Sequence, residues 1–362
     1  MSEDPRLVAL ATAVPLHVVR QSDARTLATR LFSDALGADR GLLQVFEHAQ
    51  IEKRHLCVPL EWFATDHGFE EKNDLYVENA VRLAGEVARK ALAKAKLAPG
   101  DIDHIVFVSS TGLATPSVDA RLANELEFRP DVRRTPIWGL GCAGGAAGLS
   151  RARDFAVADP SARVLLVALE LCSLTFQRND LSKRNLVAAS LFGDGAAAAV
   201  VAGREAVGFE RNGHRPLELL ATRSTLWKDT LDVMGWTVDG AGLHVVFSRD
   251  IPTIVREKVR PSLAAFLESR GLGLETLHHL VAHPGGVKVL GAYAEALGLP
   301  AAALRHARDV LREYGNMSSP SCLFVLERFL DAQEIAGGEA AVVAALGPGF
   351  SAEYVLVRGE AG

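Results

Sequence analysis

The chain has 362 residues, of which 49% are hydrophobic and 23% charged, and its net charge is −5 at neutral pH. This composition is typical of a globular protein, and the lack of a long Lys/Arg run argues against nucleic-acid binding. No apolar stretch approaches the ~20 residues that span a bilayer. The acidic N-terminus, MSEDPRLVAL, does not have the layout of a signal peptide. We therefore expect a cytoplasmic protein that is not bound to a membrane.

The cysteine content also suits a reducing compartment. Cys57, Cys142, Cys172 and Cys322 are far apart in the sequence and form no C-x-x-C pair. Neither a disulfide framework nor a zinc site is expected from such spacing, and no metal site is predicted. A single cysteine in an unusual local sequence is instead a candidate nucleophile.

Two pairs of segments share a common plan, which indicates an internal duplication. Residues 78–112 and 251–286 each contain a helix-period stretch, a Gly/Pro break and a short apolar strand. Residues 142–170 and 318–349 each contain a helix, a turn and a strand. The strands are too apolar to face water on either side, so helices must lie above, between and below two sheets.

These features predict an α/β protein with the thiolase fold, a duplicated architecture of five layers, αβαβα. The N-terminal half, residues 1–210, carries Cys142, and the C-terminal half, residues 211–362, carries His283 and Asn316. The symmetry of the halves predicts that the starts of the helices near 143 and 319 meet the ends of the strands near 105–109 and 279–283.

The stretch 137–156, IWGLGCAGGAAGLSRARDFA, places Cys142 between a short strand and a helix. The partial positive charge of a helix N-terminus stabilises a thiolate, so a pKa below the ordinary ~8.5 is expected for this thiol. The simpler interpretation is a small buried cysteine in a tightly packed helix. Residues 139–144 also match G-x-G-x-x-G, but Asp159 precedes the next strand rather than closing it, which disfavours a dinucleotide site.

His283 and Asn316 occupy comparable places in the second half. His283 ends a strand and is followed by Pro-Gly-Gly, and Asn316 stands just before the matching helix. Taken singly, each is more simply a structural histidine or a helix-capping asparagine. Together with Cys142 they suit carbon–carbon bond formation, in which the thiol holds an acyl group and two neutral donors stabilise a thioester enolate.

Five motifs, LGCAGG, LFGDG, VAHPGG, YGNMSSPS and LGPGF, resemble those of the type III polyketide synthases, the chalcone and stilbene synthase superfamily. The resemblance implies a homodimeric acyltransferase that condenses malonyl-CoA decarboxylatively onto an acyl-CoA starter, with CoA thioesters as substrates and no separate cofactor. It assigns the acyl-carrying nucleophile to Cys142. It assigns binding of the malonyl thioester, and stabilisation of the enolate, to His283 and Asn316, with His283 also keeping Cys142 ionised.

The resemblance also implies which residues shape the substrate site. Phe192 matches a gatekeeper, whereas Val245 replaces a second gatekeeping phenylalanine of the plant enzymes, with Phe247 two residues later. Because Val245 and Ser110 are small and nearby segments look bacterial, we expect a medium- or long-chain fatty acyl starter, extended two or three times and cyclised to an alkylpyrone or alkylresorcinol. The other expected substrate contacts are Thr175, Trp236, Gly285, Gly286, Pro348, and Thr115 near the partner subunit.

Lys53 and Arg54 match a basic tunnel mouth that contacts the phosphates of CoA. One alternative is a ketoacyl-ACP synthase III that performs a single condensation, but HPGG and GNMSSPS differ from the HQxN-like and GNTS-like strings of those enzymes. A second alternative, of another class, is a non-catalytic scaffold that only binds acyl chains. The complete set of thiol, imidazole and carboxamide argues against it.

Overall fold

The computed structural model describes residues 4–33, 40–209 and 215–361. The strands are β1 (Arg6–Ala13), β2 (His17–Arg20), β3 (Lys53–Leu56), β4 (His104–Val108), β5 (Arg133–Ile137), β6 (Arg163–Leu171), β7 (Asp194–Ala202), β8 (Leu217–Leu226), β9 (Met234–Asp239), β10 (Gly242–Phe247), β11 (His279–Ala282), β12 (Ala340–Gly347) and β13 (Ser351–Gly359). The helices are α1 (Gln21–Leu31), α2 (Gln44–His48), α3 (Phe69–Ala95), α4 (Val118–Glu125), α5 (Gly144–Ala158), α6 (Lys183–Leu191), α7 (Ile251–Glu268), α8 (Val287–Leu297), α9 (Arg305–Tyr314) and α10 (Ser321–Asp331).

The main sheet contains two similar halves that meet at a short junction. Its strand order is β11-β12-β13-β8-β1-β7-β6-β4-β5. From β1 outward, the pairings with β7, β6 and β4 are antiparallel, antiparallel and parallel, and those from β8 through β13, β12 and β11 repeat this order. The β1–β8 junction pairs Arg6 with Glu218 and Leu7 with Leu217. The predicted duplication is confirmed, with the two half-sheets joined edge to edge.

The helices complete the five predicted layers. In the centre, α5 packs against β4 and β6 of one half and against β12 and β13 of the other, with α10 alongside it. On one outer face, α3 covers β1, β6 and β7. On the other, α7 packs on α8 and places Phe266 over Tyr354 of β13, with ring centroids 6.0 Å apart. The thiolase-like αβαβα arrangement is therefore confirmed.

The two central helices approach closely because α5 carries glycine where they cross. A Cβ atom at Gly145 would lie 2.1 Å from the carbonyl oxygen of Ser319 and 2.7 Å from Sγ of Cys322. No side chain fits within such distances, so the crossing requires glycine. As a result the starts of α5 and α10 lie together, as the symmetry of the sequence predicts.

The predicted boundary between the halves, at residues 210 and 211, lies outside the described residues. Within the ranges that the structure describes, none of the helices combines the length and apolar character needed to cross a membrane.

Candidate active site

One cavity of about 600 Å³ brings together the three residues singled out from the sequence. Cys142 precedes α5, His283 follows β11, and Asn316 precedes α10, and all three line this cavity. Their exposed fractions are only 6%, 3% and 2%. The convergence of helix starts and strand ends thus places a thiol, an imidazole and a carboxamide at one buried position.

The thiol of Cys142 lies in a short 3₁₀ turn, Gly141–Ala143, that leads into α5. Its Sγ is 4.0 Å from Oδ1 of Asn316. Burial raises the pKa of the Cys142 thiol to about 11; a hydrogen bond with Ser318 opposes this rise, and the nearby charge of Glu170 adds to it. Burial thus opposes the lowering of this pKa that the helix N-terminus is expected to cause, and that lowering stays a prediction.

The turn that carries Cys142 is fixed by hydrogen bonds from its backbone. The hydroxyl oxygen of Ser110 accepts from the N–H groups of Gly139 and Gly141, each at 3.2 Å. Gly141 has φ +46°, and a Cβ atom there would lie 3.0 Å from Cδ of Pro348. Ser110 and Pro348 thus support the turn, and neither lines the cavity of Cys142. The contact with substrate that is expected of them stays a prediction.

The imidazole of His283 is buried and neutral. Its backbone N–H donates to the carbonyl of Ala344 at 2.8 Å, which fixes the end of β11. Neither ring nitrogen has a hydrogen-bond partner in the described part of the chain. Burial lowers the pKa of His283 to about 3. The structure shows no hydrogen bond between His283 and Cys142, and the role of His283 in keeping Cys142 ionised stays a prediction.

The carboxamide of Asn316 is held on both sides. Its Oδ1 accepts from the backbone N–H of Ser318 at 2.8 Å, and its Nδ2 donates to the carbonyl of Gly285 at 3.3 Å. The second N–H of Nδ2 makes no hydrogen bond to another described residue, and Asn316 lines the cavity. Gly285 and Gly286 line the same cavity, as predicted.

A second, apolar cavity of about 80 Å³ lies on the other side of Phe192. Val245, Thr175 and Cys172 line it together with Phe192. Its opposite wall consists of apolar side chains of α1 and the segment that follows β3, namely Leu27, Ala28, Leu31, Leu60 and Phe63. Arg54, Ser173 and Asn185 also line it, but most of the lining is apolar and suits a chain of methylene groups.

Aromatic rings separate the two cavities. The ring of Phe192 lies 5.6 Å from that of Phe247 and 6.3 Å from that of Trp236, measured between centroids. Phe247 lines the larger cavity, whereas Phe192 and Val245 line the smaller one. Val245 and Phe247 are two residues apart on β10 and so share a face of that strand. Trp236 supports Phe192 but lines neither cavity.

Arg54 does not have the role predicted for it. It is 3% exposed, and its guanidinium donates to the carbonyls of Ala189, Ser190 and Phe192 at 2.6, 3.1 and 3.0 Å. Burial lowers the pKa of Arg54 to about 10. These carbonyls end α6 and have no partner within the helix, so Arg54 caps α6 and fixes Phe192 instead of binding phosphate.

Two further predicted contacts lie away from the cavities. Lys53 is exposed on β3 and lines neither cavity. Thr115 is also exposed, at a cis peptide bond to Pro116, and its predicted place beside a partner subunit stays a prediction.

Glu170 was missed by the sequence analysis. It lies one residue before the end of β6, is fully buried, and accepts hydrogen bonds from the Ser110 N–H and the Thr111 hydroxyl, both at 2.8 Å. Burial raises the pKa of Glu170 to about 7. An acid inside the apolar run ARVLLVALE was the available signal. Through Ser110, Glu170 supports the turn that carries Cys142.

Within the described residues, no group of three or more His, Cys, Asp or Glu side chains is arranged to hold a metal ion. The chemistry of the site is that of a thiol beside two neutral hydrogen-bonding side chains.

Comparison with known proteins identifies the family. A sequence model of the N-terminal domain of chalcone and stilbene synthases matches residues 3–205, and one of their C-terminal domain matches residues 218–361. The chain belongs to the chalcone and stilbene synthase family. The predicted family membership is confirmed over both halves, which decides against the ketoacyl-ACP synthase III alternative.

Relatives of this family are similar over nearly the whole chain. A 1,3,6,8-tetrahydroxynaphthalene synthase of Streptomyces peucetius subsp. caesius is 42% identical over 97% of this chain and 92% of its own length. An alpha-pyrone synthesis polyketide synthase-like protein of Mycobacterium tuberculosis is 31% identical over 96% and 89%. The crystal structure of a 1,3,6,8-tetrahydroxynaphthalene synthase from Streptomyces coelicolor A3(2), a bacterial type III polyketide synthase, has a TM-score of 0.92 at 34% identity, covering 99% of this chain and 100% of that one.

As a member of the chalcone and stilbene synthase family, the chain is a type III polyketide synthase of the acyltransferase class that condenses malonyl-CoA. The family uses CoA thioesters and needs no additional cofactor. These findings confirm the predicted enzyme class, an acyltransferase, and the predicted use of CoA thioesters as substrates.

Proposed function

We propose that Cys142, His283 and Asn316 carry out the condensation, with a fatty acyl-CoA as starter. The observation that carries the proposal is the 600 Å³ cavity, in which the three side chains meet with an apolar cavity close by.

Loading begins when Sγ of Cys142 attacks the carbonyl carbon of the starter thioester. The bond from that carbon to the CoA sulfur breaks as the bond to Cys142 forms. The thiol proton passes to the departing CoA sulfur, and we assign its transfer to the imidazole of His283, which lines the same cavity. The exchange of one thioester for another needs no oxidant and no metal ion.

Decarboxylation follows at the two neutral donors. The thioester carbonyl oxygen of malonyl-CoA accepts hydrogen bonds from a ring N–H of His283 and from Nδ2 of Asn316. Negative charge develops on this oxygen as carbon dioxide leaves, so donors that are already in place favour the enolate. The enolate carbon then attacks the acyl group on Cys142, expels the thiolate, and yields a β-ketoacyl-CoA that is two carbons longer.

The apolar cavity supports a medium- or long-chain starter. An alkyl chain attached at Cys142 reaches this cavity by passing the aromatic rings of Phe192 and Phe247. Each methylene that becomes buried contributes up to ~0.8 kcal/mol. Two or three extensions and cyclisation then give an alkylpyrone or alkylresorcinol, and one relative is named for alpha-pyrone synthesis.

A second candidate product is favoured by other relatives. Proteins 42% and 35% identical to this chain are named 1,3,6,8-tetrahydroxynaphthalene synthases. That product carries no alkyl chain, so its formation would leave the apolar cavity without a role in binding a starter.

Mass spectrometry of reaction products separates the two candidates. Purified enzyme receives malonyl-CoA alone, or malonyl-CoA with acetyl-, hexanoyl- or dodecanoyl-CoA. Alkylpyrones or alkylresorcinols that retain the starter chain, formed most efficiently from the longer starters, support the proposal. A naphthalene product from malonyl-CoA alone, undiminished by added dodecanoyl-CoA, contradicts the fatty starter.

We also infer that the enzyme is a cytoplasmic homodimer. All four cysteines are free thiols, which suits a reducing compartment. Strand β5 forms one edge of the main sheet, and Leu113 and Trp138 near it are 43% and 50% exposed. An exposed strand edge with exposed apolar side chains is suited to pairing with a second copy.

A further inference from the structure

Two buried polar side chains, Gln21 and Arg54, have no part in the condensation mechanism and connect the elements around both cavities. Gln21 is the first residue of α1. Its Nε2 donates to the carbonyl of Phe46 in α2 at 3.1 Å and to that of Ser190 in α6 at 3.0 Å. Its Oε1 accepts a hydrogen bond from the guanidinium of Arg54. Gln21 thus joins α1 to α2, to α6 and, through Arg54, to β3.

The helices that Gln21 joins form walls of different cavities. Leu27 of α1 lines the apolar cavity, and Val45 of α2 lines the 600 Å³ cavity. The end of α6 contributes to both, since Ala188 lines the apolar cavity and Leu191 lines the larger one. A shift of α1 against α2 would move one cavity relative to the other, and the hydrogen bonds of Gln21 oppose such a shift.

The same two side chains hold the end of α6, where the chain passes into Phe192. Phe192 is extended, with φ −77° and ψ 143°, so the helix lacks the left-handed residue that commonly closes such an end. The guanidinium of Arg54 bonds the free carbonyls instead, those of Ala189, Ser190 and Phe192. Arg54 therefore positions the ring that separates the cavities, and Gln21 orients Arg54.

Stability alone does not explain a guanidinium at this place. Nε of Arg54 has no hydrogen-bond partner in the described part of the chain, and the groups that accept from its other two nitrogens are neutral. Asp194 supplies a nearby negative charge, but its carboxylate accepts hydrogen bonds from Cys57 and Ser173. Burying a charge in this way costs free energy, and apolar side chains of similar volume are often as stable. A fork of fixed donors gives what an apolar side chain does not, a defined direction for each carbonyl.

We propose that Gln21 and Arg54 are positioning residues that set the passage between the two cavities and thereby select the length of the starter. The selection by starter length rests on the proposed function. A long acyl chain attached to Cys142 has to pass the ring of Phe192 to reach the apolar cavity, whereas an acetyl group is small enough to remain in the larger cavity. A disturbance of Gln21 or Arg54 therefore affects long starters more than short ones.

Competition between dodecanoyl-CoA and acetyl-CoA, read from product masses, tests the proposal. Gln21→Met keeps the length of the side chain but removes its hydrogen bonds, so the ratio of kcat/KM for dodecanoyl-CoA to that for acetyl-CoA should fall about 3- to 10-fold. Arg54→Lys keeps the charge but not the fork of donors, and the ratio should fall in the same way. Arg25→Met is the matched control. Arg25 is exposed on α1 and pairs with Glu47 of α2 at 2.7 Å, so this substitution removes a contact between the same two helices and should leave the ratio unchanged.

A double-mutant cycle separates positioning of the ring from a general structural role. In Phe192→Ala the ring is absent, so adding Gln21→Met should no longer change the ratio, although it should still lower the temperature of thermal unfolding. A fall in the ratio that persists in the Phe192→Ala background overturns the proposal. So does an unchanged ratio in Gln21→Met, or an equal fall in Arg25→Met. If Arg54→Lys fails to fold, Gln21→Met alone decides.

Failure of the proposed function gives a different result. If the wild type does not accept dodecanoyl-CoA, the fatty starter is excluded, and the positioning of Phe192 is tested on the chain that grows from malonyl-CoA alone. The number of malonyl units per product should then change in Gln21→Met and not in Arg25→Met. The same number in both variants as in the wild type overturns the positioning as well.

Discussion

Phe192 and Asn316 are paired through their backbones as a parallel β-bridge. The N–H of Asn316 donates to the carbonyl of Leu191 at 2.8 Å, and the N–H of Gly193 donates to the carbonyl of Asn316 at 3.0 Å. Arg54 holds the carbonyl of Phe192 from the other side. The ring of Phe192, which separates the two cavities, is thus fixed relative to the carboxamide of Asn316. In the proposed mechanism these two residues together position the acyl chain and the thioester carbonyl.

Cys142→Ala should abolish condensation, because no sulfur is then available to form a thioester with the acyl group. Peptide mapping by mass spectrometry after exposure to an acyl-CoA should find the acyl adduct on Cys142. Cys57, Cys172 and Cys322 are also buried thiols and serve as internal controls. An adduct on any of these three in place of Cys142 contradicts the assignment.

His283→Ala and Asn316→Ala should each slow decarboxylation of malonyl-CoA by about 10²- to 10³-fold, the usual cost of removing one oxyanion donor. The release of carbon dioxide from malonyl-CoA measures this step separately from chain loading. Acylation of Cys142 should persist in Asn316→Ala. Decarboxylation at the wild-type rate in that variant removes Asn316 from the mechanism.

Glu170→Gln should make Cys142 more reactive toward iodoacetamide. The charge of Glu170 helps to raise the pKa of the thiol, and the pKa of Glu170 itself is about 7, so the effect should be present above pH 7 and vanish below it. A rise of one pKa unit in the thiol corresponds to about tenfold less thiolate. Alkylation rates at pH 6 and pH 9 measure this effect. Glu61→Gln, an exposed change, is the control, and equal rates in wild type and Glu170→Gln at pH 9 would falsify the coupling.

Val245→Phe should reduce turnover of dodecanoyl-CoA more than that of hexanoyl-CoA, because the larger ring fills the apolar cavity that Val245 lines. In the wild type, KM should fall as the starter lengthens until the cavity is full. Competition between the two starters, read from product masses, gives the ratio directly. Val238→Phe is the same substitution at an exposed position and should leave the ratio unchanged. An unchanged ratio in Val245→Phe means that the chain binds elsewhere.

The enzyme should behave in light scattering as a particle of twice the 38.7 kDa of one chain. Trp138→Glu places a charge in the exposed apolar area beside β5 and should shift the equilibrium toward monomer. Val157→Glu, a similar change at a position that is 50% exposed on α5, should not. A monomer at micromolar concentration in the wild type contradicts the dimer.

Repetition within the sequence was sufficient to predict the architecture. Apolar strands at equivalent places in both halves required helices on both faces, and the structure has them. The positions of Cys142, His283 and Asn316 followed from the ends of those elements. These features depend on local pattern, which the sequence shows directly.

What the sequence did not predict depends on packing between distant segments. Lys53 and Arg54 are neighbours in the chain, yet alternation along β3 turns one outward and buries the other. The pKa of Cys142 depends on burial as well as on its helix N-terminus, and a local motif carries no measure of burial. Val45, Phe247 and Val289 are far apart in the sequence, and only the fold brings them into the lining of the cavity that holds Cys142.

The crossing of α5 and α10 at Gly145 makes the active site sensitive to a substitution at a residue that takes no part in the reaction. Cys142 stands three residues before this glycine, and Asn316 stands three residues before Ser319, whose carbonyl the glycine touches. A single added methyl group at residue 145 would wedge the helices apart and draw the sulfur away from the carboxamide. The distance between the Cys142 sulfur and the Asn316 carboxamide thus depends on the lack of a side chain at Gly145. A substitution there would alter the chemistry of the enzyme although all its reactive groups are intact.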